Sequence, residues 1–131
     1  MRRHAAAFAV LLAACARPPA TVRIVEPAEG TVLAGSPVRV LLEAEDVPIV
    51  SAAEQRPGTA HHHLYLDTDL GAPGDTIPAG VTGIIHLGRG QTEFVFDSLA
   101  PGEHRIIALL ADAWHVPLSP PAADTVRITV P

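Results

Sequence analysis

Short runs in which apolar and polar residues alternate, each closed by glycine or proline, recur from residue 22 to the end of the chain. They cover residues 22–25, 38–45, 61–67, 81–87, 92–96, 103–111 and 125–130. A two-residue period sends successive side chains to opposite faces, so each run reads as a β-strand with one face on a core. No stretch keeps a helical period, and thirteen prolines oppose a helix-rich alternative. Seven short strands within about 110 residues predict an all-β, immunoglobulin-like β-sandwich, forming one domain over residues 22–131. Gly88-Arg89-Gly90-Gln91 reads as a turn joining the runs at 81–87 and 92–96 into a hairpin. Leu99-Ala100-Pro101-Gly102-Glu103-His104 has the shape of the corner before the sixth strand of such domains. His104 stands where a tyrosine is common, and its ring is expected to hydrogen-bond nearby backbone.

The first residues follow another pattern. Arg2 and Arg3 precede an apolar stretch over residues 5–14, shorter than the roughly 20 residues a membrane-spanning helix needs. Leu12-Ala13-Ala14-Cys15 has the form of a bacterial lipobox. Residues 1–14 are therefore expected to be a lipoprotein signal peptide, with diacylglycerol on Cys15 and residues 15–21 as a short tether. This places the domain in the cell envelope, lipid-anchored and facing the periplasm. Ala16, rather than Asp, favours the outer membrane over the inner. A single cysteine rules out an intramolecular disulfide, so the core alone must hold the fold.

Charge narrows the partners. Of nine arginines, Arg2 and Arg3 leave with the signal peptide; seven remain against fourteen acidic residues, and there is no lysine. With no basic run, nucleic acid is excluded as a partner, and the membrane is expected to be reached through the lipid alone. An envelope protein is a further expected partner.

Six histidines follow the signal segment, and they carry the candidate chemistry. In the adjacent trio at 61–63, strand periodicity puts His61 and His63 on one face with Tyr65, and His62 on the core face with Leu64 and Leu66. Two imidazoles at i and i+2 can meet on one ion, and neutral imidazole suits zinc and copper. His86 and His115 are the expected further ligands. Asp112 is a supporting residue, either ligating or orienting an imidazole through its N–H. His62 and His104 are assigned structural hydrogen bonds to backbone carbonyls, and Glu93 is a further supporting position. The acidic turn at Asp67-Thr68-Asp69 lacks the spacing of a calcium loop and reads as turn chemistry. Trp114 is expected to pack into the core, since large rings are scarce here.

Taken together, several motifs give a family resemblance. They are His61-His62-His63-Leu64 with Asp67, His86-Leu87-Gly88 with Gly90-Gln91-Thr92-Glu93, Pro101-Gly102 with His104, Asp112, His115-Val116-Pro117 and Pro120-Pro121. In these the chain resembles the domain of unknown function family 4399 of exported bacterial proteins, over about residues 22–130. The resemblance implies an exported β-domain and no particular reaction. Leu118 departs from it, standing where a second histidine is expected after the Val-Pro step.

Catalysis has little support. There is no GxSxG elbow, the one cysteine is taken by the lipid, and the serines sit in turn contexts. The expected function is a non-catalytic, metal-binding envelope lipoprotein. The alternative is a non-catalytic interaction or structural module with purely structural histidines.

Overall fold

The computed structural model describes residues 16–131; the expected signal peptide and the lipidation site at Cys15 lie outside them. Among the described residues, eight strands form two sheets. The first sheet has the order β1 (Thr21–Glu26), β3 (Val38–Glu45), β6 (Glu93–Phe96). The second has the order β2 (Thr31–Val32), β8 (Ala123–Val130), β7 (Gly102–Ala111), β4 (His61–Leu66), β5 (Ile84–Leu87). This is the expected immunoglobulin-like arrangement, with a short extra strand, β2, parallel to β8. Two residues are too few to leave a periodic signal, so β2 has no counterpart among the predicted runs.

Alternation explains the core. Val38, Val40 and Leu42 on β3, and Val126, Ile128 and Val130 on β8, are buried while intervening residues are more open. They meet Leu64, Leu87, Phe96, Ile106, Ala108 and Leu110 between the sheets. β4 departs from alternation, being buried on both faces. Its outer face, with Tyr65, joins Ile107, Leu109 and Ala111 of β7 and is covered by Ile77 from the loop after β4. The Ile77 amide donates to the His115 carbonyl at 2.8 Å, tying that loop to the one after β7. Over β4 the sandwich therefore has a third, irregular layer.

The hairpin expected around residues 88–91 does not form. β5 pairs with β4 in one sheet, and β6 pairs with β3 in the other, so the connection crosses between sheets. It is held from the side: Gly88 accepts from the Ala52 amide at 2.9 Å and from Ser51 Oγ at 3.2 Å. Unsatisfied ladder groups of β4 and β3 compete for β5 and β6 and win over the local turn.

The corner before β7 is as expected. The His104 ring donates through Nε2 to the Ala100 carbonyl at 2.7 Å, and Nδ1 lies 2.6 Å from Asp67 Oδ2. Both partners are acceptors, so both ring nitrogens must carry hydrogen, which only imidazolium allows. The Ala100 carbonyl, then the Asp67 carboxylate, accordingly raise the His104 pKa.

Candidate metal centre

Three separate segments bring four imidazoles together over the outer face of β4. The ladder supplies three of them. His61 and His63 point to the same side of β4, and His63 is the direct cross-strand partner of His86 on β5. The fourth, His115, comes from the loop after β7. Asp112 shapes that loop: its Oδ1 accepts from the Trp114 amide at 2.9 Å and the Val116 amide at 3.0 Å. The resulting turn puts His115 in the left-handed region at φ 64°. A non-glycine residue there carries a cost of about 1 kcal/mol, and such strain concentrates where geometry serves a site.

The rings touch. Centroids lie 4.8 Å apart for His61 and His63, 4.9 Å for His61 and His86, and 4.9 Å for His61 and His115. The remaining pairs stand at 5.0 Å (His63 and His86), 5.8 Å (His63 and His115) and 4.8 Å (His86 and His115). One nitrogen from each ring can be chosen so that all four lie within 4.8 Å of one another. Four nitrogens bound at zinc distances stand about 3.4 Å apart, so ring-edge movements of about 1 Å close the set. The Nε2 atoms of His86 and His115 are already 3.1 Å apart. One must donate and the other accept, and a bound cation would take the place of that shared proton.

Burial divides the four. His61 and His63 are each 1 % exposed, whereas His86 is exposed and His115 half-buried. Burial first, then the His86 and His115 rings, push His61 down to about 4, with Asp112 opposing. Burial and the other imidazoles push His63 to about 3, and burial with His115 lowers His86 as well. These three rings are therefore neutral near pH 7 and offer lone pairs, the form a metal requires. His61 Nε2 and His63 Nδ1 are buried with no hydrogen-bond partner, the condition a ligand would relieve. Open pockets of about 590 Å³ flank the cluster: one is lined by His63, Ile77, Ile84, His86 and His115, the other by Gln55, His86, Gly88, Trp114 and His115.

Four sequence expectations need correction. Asp112 holds backbone amides, not an imidazole, so its support runs through the loop. Glu93 lies in the opposite sheet, paired with Arg39 at 2.6 Å, because its side of β6 faces solvent. His62 does face the core with Leu64, but neither of its ring nitrogens finds the expected carbonyl. Burial holds it neutral with a pKa of about 4, which the nearby Gln91 backbone opposes without a hydrogen bond of good geometry. Trp114 is 50 % exposed instead of packed, since the Asp112 turn carries it to the outside of the loop. Leu118, where a histidine was expected, packs against the core between the sheets, away from the cluster.

Gly88 also shapes the site, although it carries no ligand atom. A Cβ at Gly88 would overlap the His86 ring, so only glycine leaves that ring its place. The signal was present: residues 86 and 88 share a strand face, and a glycine two residues from a candidate ligand leaves room beside it.

Comparison with known proteins agrees with the fold and leaves the chemistry open. The crystal structure of an engineered protein matches with a TM-score of 0.53 at 12% identity, covering 88% of this chain. The match takes in 21% of that protein's chain and bears on the fold alone. No curated protein matches. The model of the domain of unknown function DUF4399 matches residues 40–131, beginning within β3 and not at residue 22. It includes every histidine of the cluster and most of both sheets, and the chain belongs to the DUF4399 family.

Proposed function

We propose that this is an envelope lipoprotein domain that binds one transition-metal ion, copper or zinc, through His61, His63, His86 and His115 without catalysis. The observation that carries the reading is the convergence of four rings from three segments, two of them buried with unpartnered nitrogens. Neutral imidazoles packed together gain nothing from each other comparable to the cost of burying them unpaired; an ion supplies the missing partner. Four protein ligands close a tetrahedral shell and leave no position for water, which favours holding an ion over hydrolysis. The lipobox ending at Cys15 supports a diacylglycerol anchor in the envelope, and the acidic chain supports no role with nucleic acid.

The test is metal retention. The chain is loaded with Zn(II) or Cu(II) and dialysed, and bound metal is measured. The reading expects about one ion per chain, lost in His61→Ala/His63→Ala. A stoichiometry far below one, or one unchanged in the double variant, overturns it.

One observation favours a second reading, a non-catalytic interaction module. Trp114 is half exposed beside His115, and exposed aromatics concentrate at protein interfaces. Capture of an envelope partner that survives the histidine double variant but not Trp114→Ala would favour it.

A further inference from the structure

The six centroid separations describe more than proximity. In a metal site with four nitrogens at 2.0–2.1 Å, each ring centroid sits about 3.2 Å from the ion. A tetrahedron then places all six centroid pairs about 5.2 Å apart. A square plane, the preference of Cu(II), places four pairs at about 4.5 Å and two at about 6.4 Å. Here five pairs fall between 4.8 and 5.0 Å and one reaches 5.8 Å. If His63 and His115 marked one diagonal of a square, His61 and His86 would mark the other; they stand only 4.9 Å apart. The rings thus stand on a tetrahedron slightly stretched along one edge.

That arrangement is built into the backbone. His61 and His63 are fixed by β4, which is hydrogen-bonded on both sides, to β5 and to β7. His86 is set opposite His63 by register and confined beside Gly88. His115 is held by the Asp112 turn and by its carbonyl bond to Ile77. Flattening the set would require a strand and a braced loop to shift together. The cluster also contains no sulfur, the donor that Cu(I) prefers.

Resting on the metal-binding reading above, we propose that the cluster is a tetrahedral four-imidazole cage whose ion is zinc(II), and that its geometry works against copper(II). Unconstrained nitrogen donors bind Cu(II) more tightly than Zn(II), so the cage acts by reducing that advantage.

The test uses the full chain with Cys15→Ser, so that no thiolate competes, and Co(II) as a spectroscopic stand-in for zinc. One equivalent of Co(II) should give the intense visible bands of a tetrahedral ion, and equimolar Zn(II) should abolish them. The preference for Cu(II) over Zn(II) should be smaller than in the urea-unfolded chain by roughly tenfold or more, equivalent to about 1.4 kcal/mol. Co(II) bound at one equivalent with only the weak bands of a six-coordinate ion overturns the cage while leaving metal binding in place. So does an undiminished Cu(II) preference. Retention of no ion overturns both the cage and the reading beneath it.

Discussion

Gly88 lies against the His86 ring so closely that any side chain at position 88 would occupy the space of the imidazole. The backbone there is not left-handed, so alanine meets no conformational penalty; the conflict is with the ring alone. Gly88→Ala should therefore leave the sandwich folded while turning His86 out of the cluster. Metal affinity, measured by competition with a chelator, should fall roughly 10–100-fold, the range for groups that orient a ligand. Unchanged affinity would mean that His86 is not a ligand.

Replacing His115 separates strain from ligation. At φ 64° a histidine costs the fold about 1 kcal/mol that glycine does not pay. His115→Gly should match or exceed the wild type in metal-free thermal stability and lose most of the stabilisation that zinc gives. Full retention of that zinc-induced rise in Tm would contradict the assignment.

His62 provides the converse. It faces the core between the sheets, with no hydrogen bond of good geometry at either ring nitrogen, on the side of β4 opposite the cluster. Replacing an unsatisfied polar ring with an apolar side chain removes a desolvation cost of about 1–3 kcal/mol. His62→Leu should raise stability to urea without changing metal stoichiometry. A loss of bound metal would place His62 in the site.

Acidity should act on the metal-free fold through the same burial. His61 and His62 hold pKa values of about 4 and His63 about 3, whereas an unfolded histidine titrates near 6.5. Between those values the unfolded chain binds more protons, so stability declines as pH falls from about 6.5 toward 4. At pH 5 each ring held neutral costs about 2 kcal/mol relative to neutral pH. His104 has the opposite sign. Its pKa is raised, so its contribution is complete below about 6.5 and is lost as pH rises through the folded value. Urea melts from pH 4.5 to 8.5 should show a steep acid limb, and His104→Gln should lower stability below the folded His104 pKa while converging with the wild type on the alkaline side. Equal stability at pH 5 and 7 would contradict the burial of neutral rings.

Much of this was legible in the chain, and the failures have physical causes. Alternation at Val38, Val40 and Leu42 reveals a strand and its inner face because one side meets core and the other water. The i, i+2 spacing of His61 and His63 gives a shared face for the same reason, and it holds whatever the tertiary fold does. The pairing of β5 with β4 is not local: Gly88 and Gly90 permit a hairpin, and only competition from two sheets decides against it. The roles of Asp112 and Gly88 were hidden because each acts on a neighbour's position, through loop amides in one case and vacant space in the other. Scarcity of aromatics argues for burying Trp114 only where the backbone aims the ring inward, and the Asp112 turn aims it outward.

The most direct measurement of the central claim is zinc-edge X-ray absorption on the chain loaded with one equivalent of Zn(II). Four nitrogen neighbours at about 2.0–2.1 Å, with the outer-shell scattering of four imidazole rings, are the predicted result. A shell dominated by oxygen, or containing two imidazoles or fewer, would show that His61, His63, His86 and His115 do not hold one ion together.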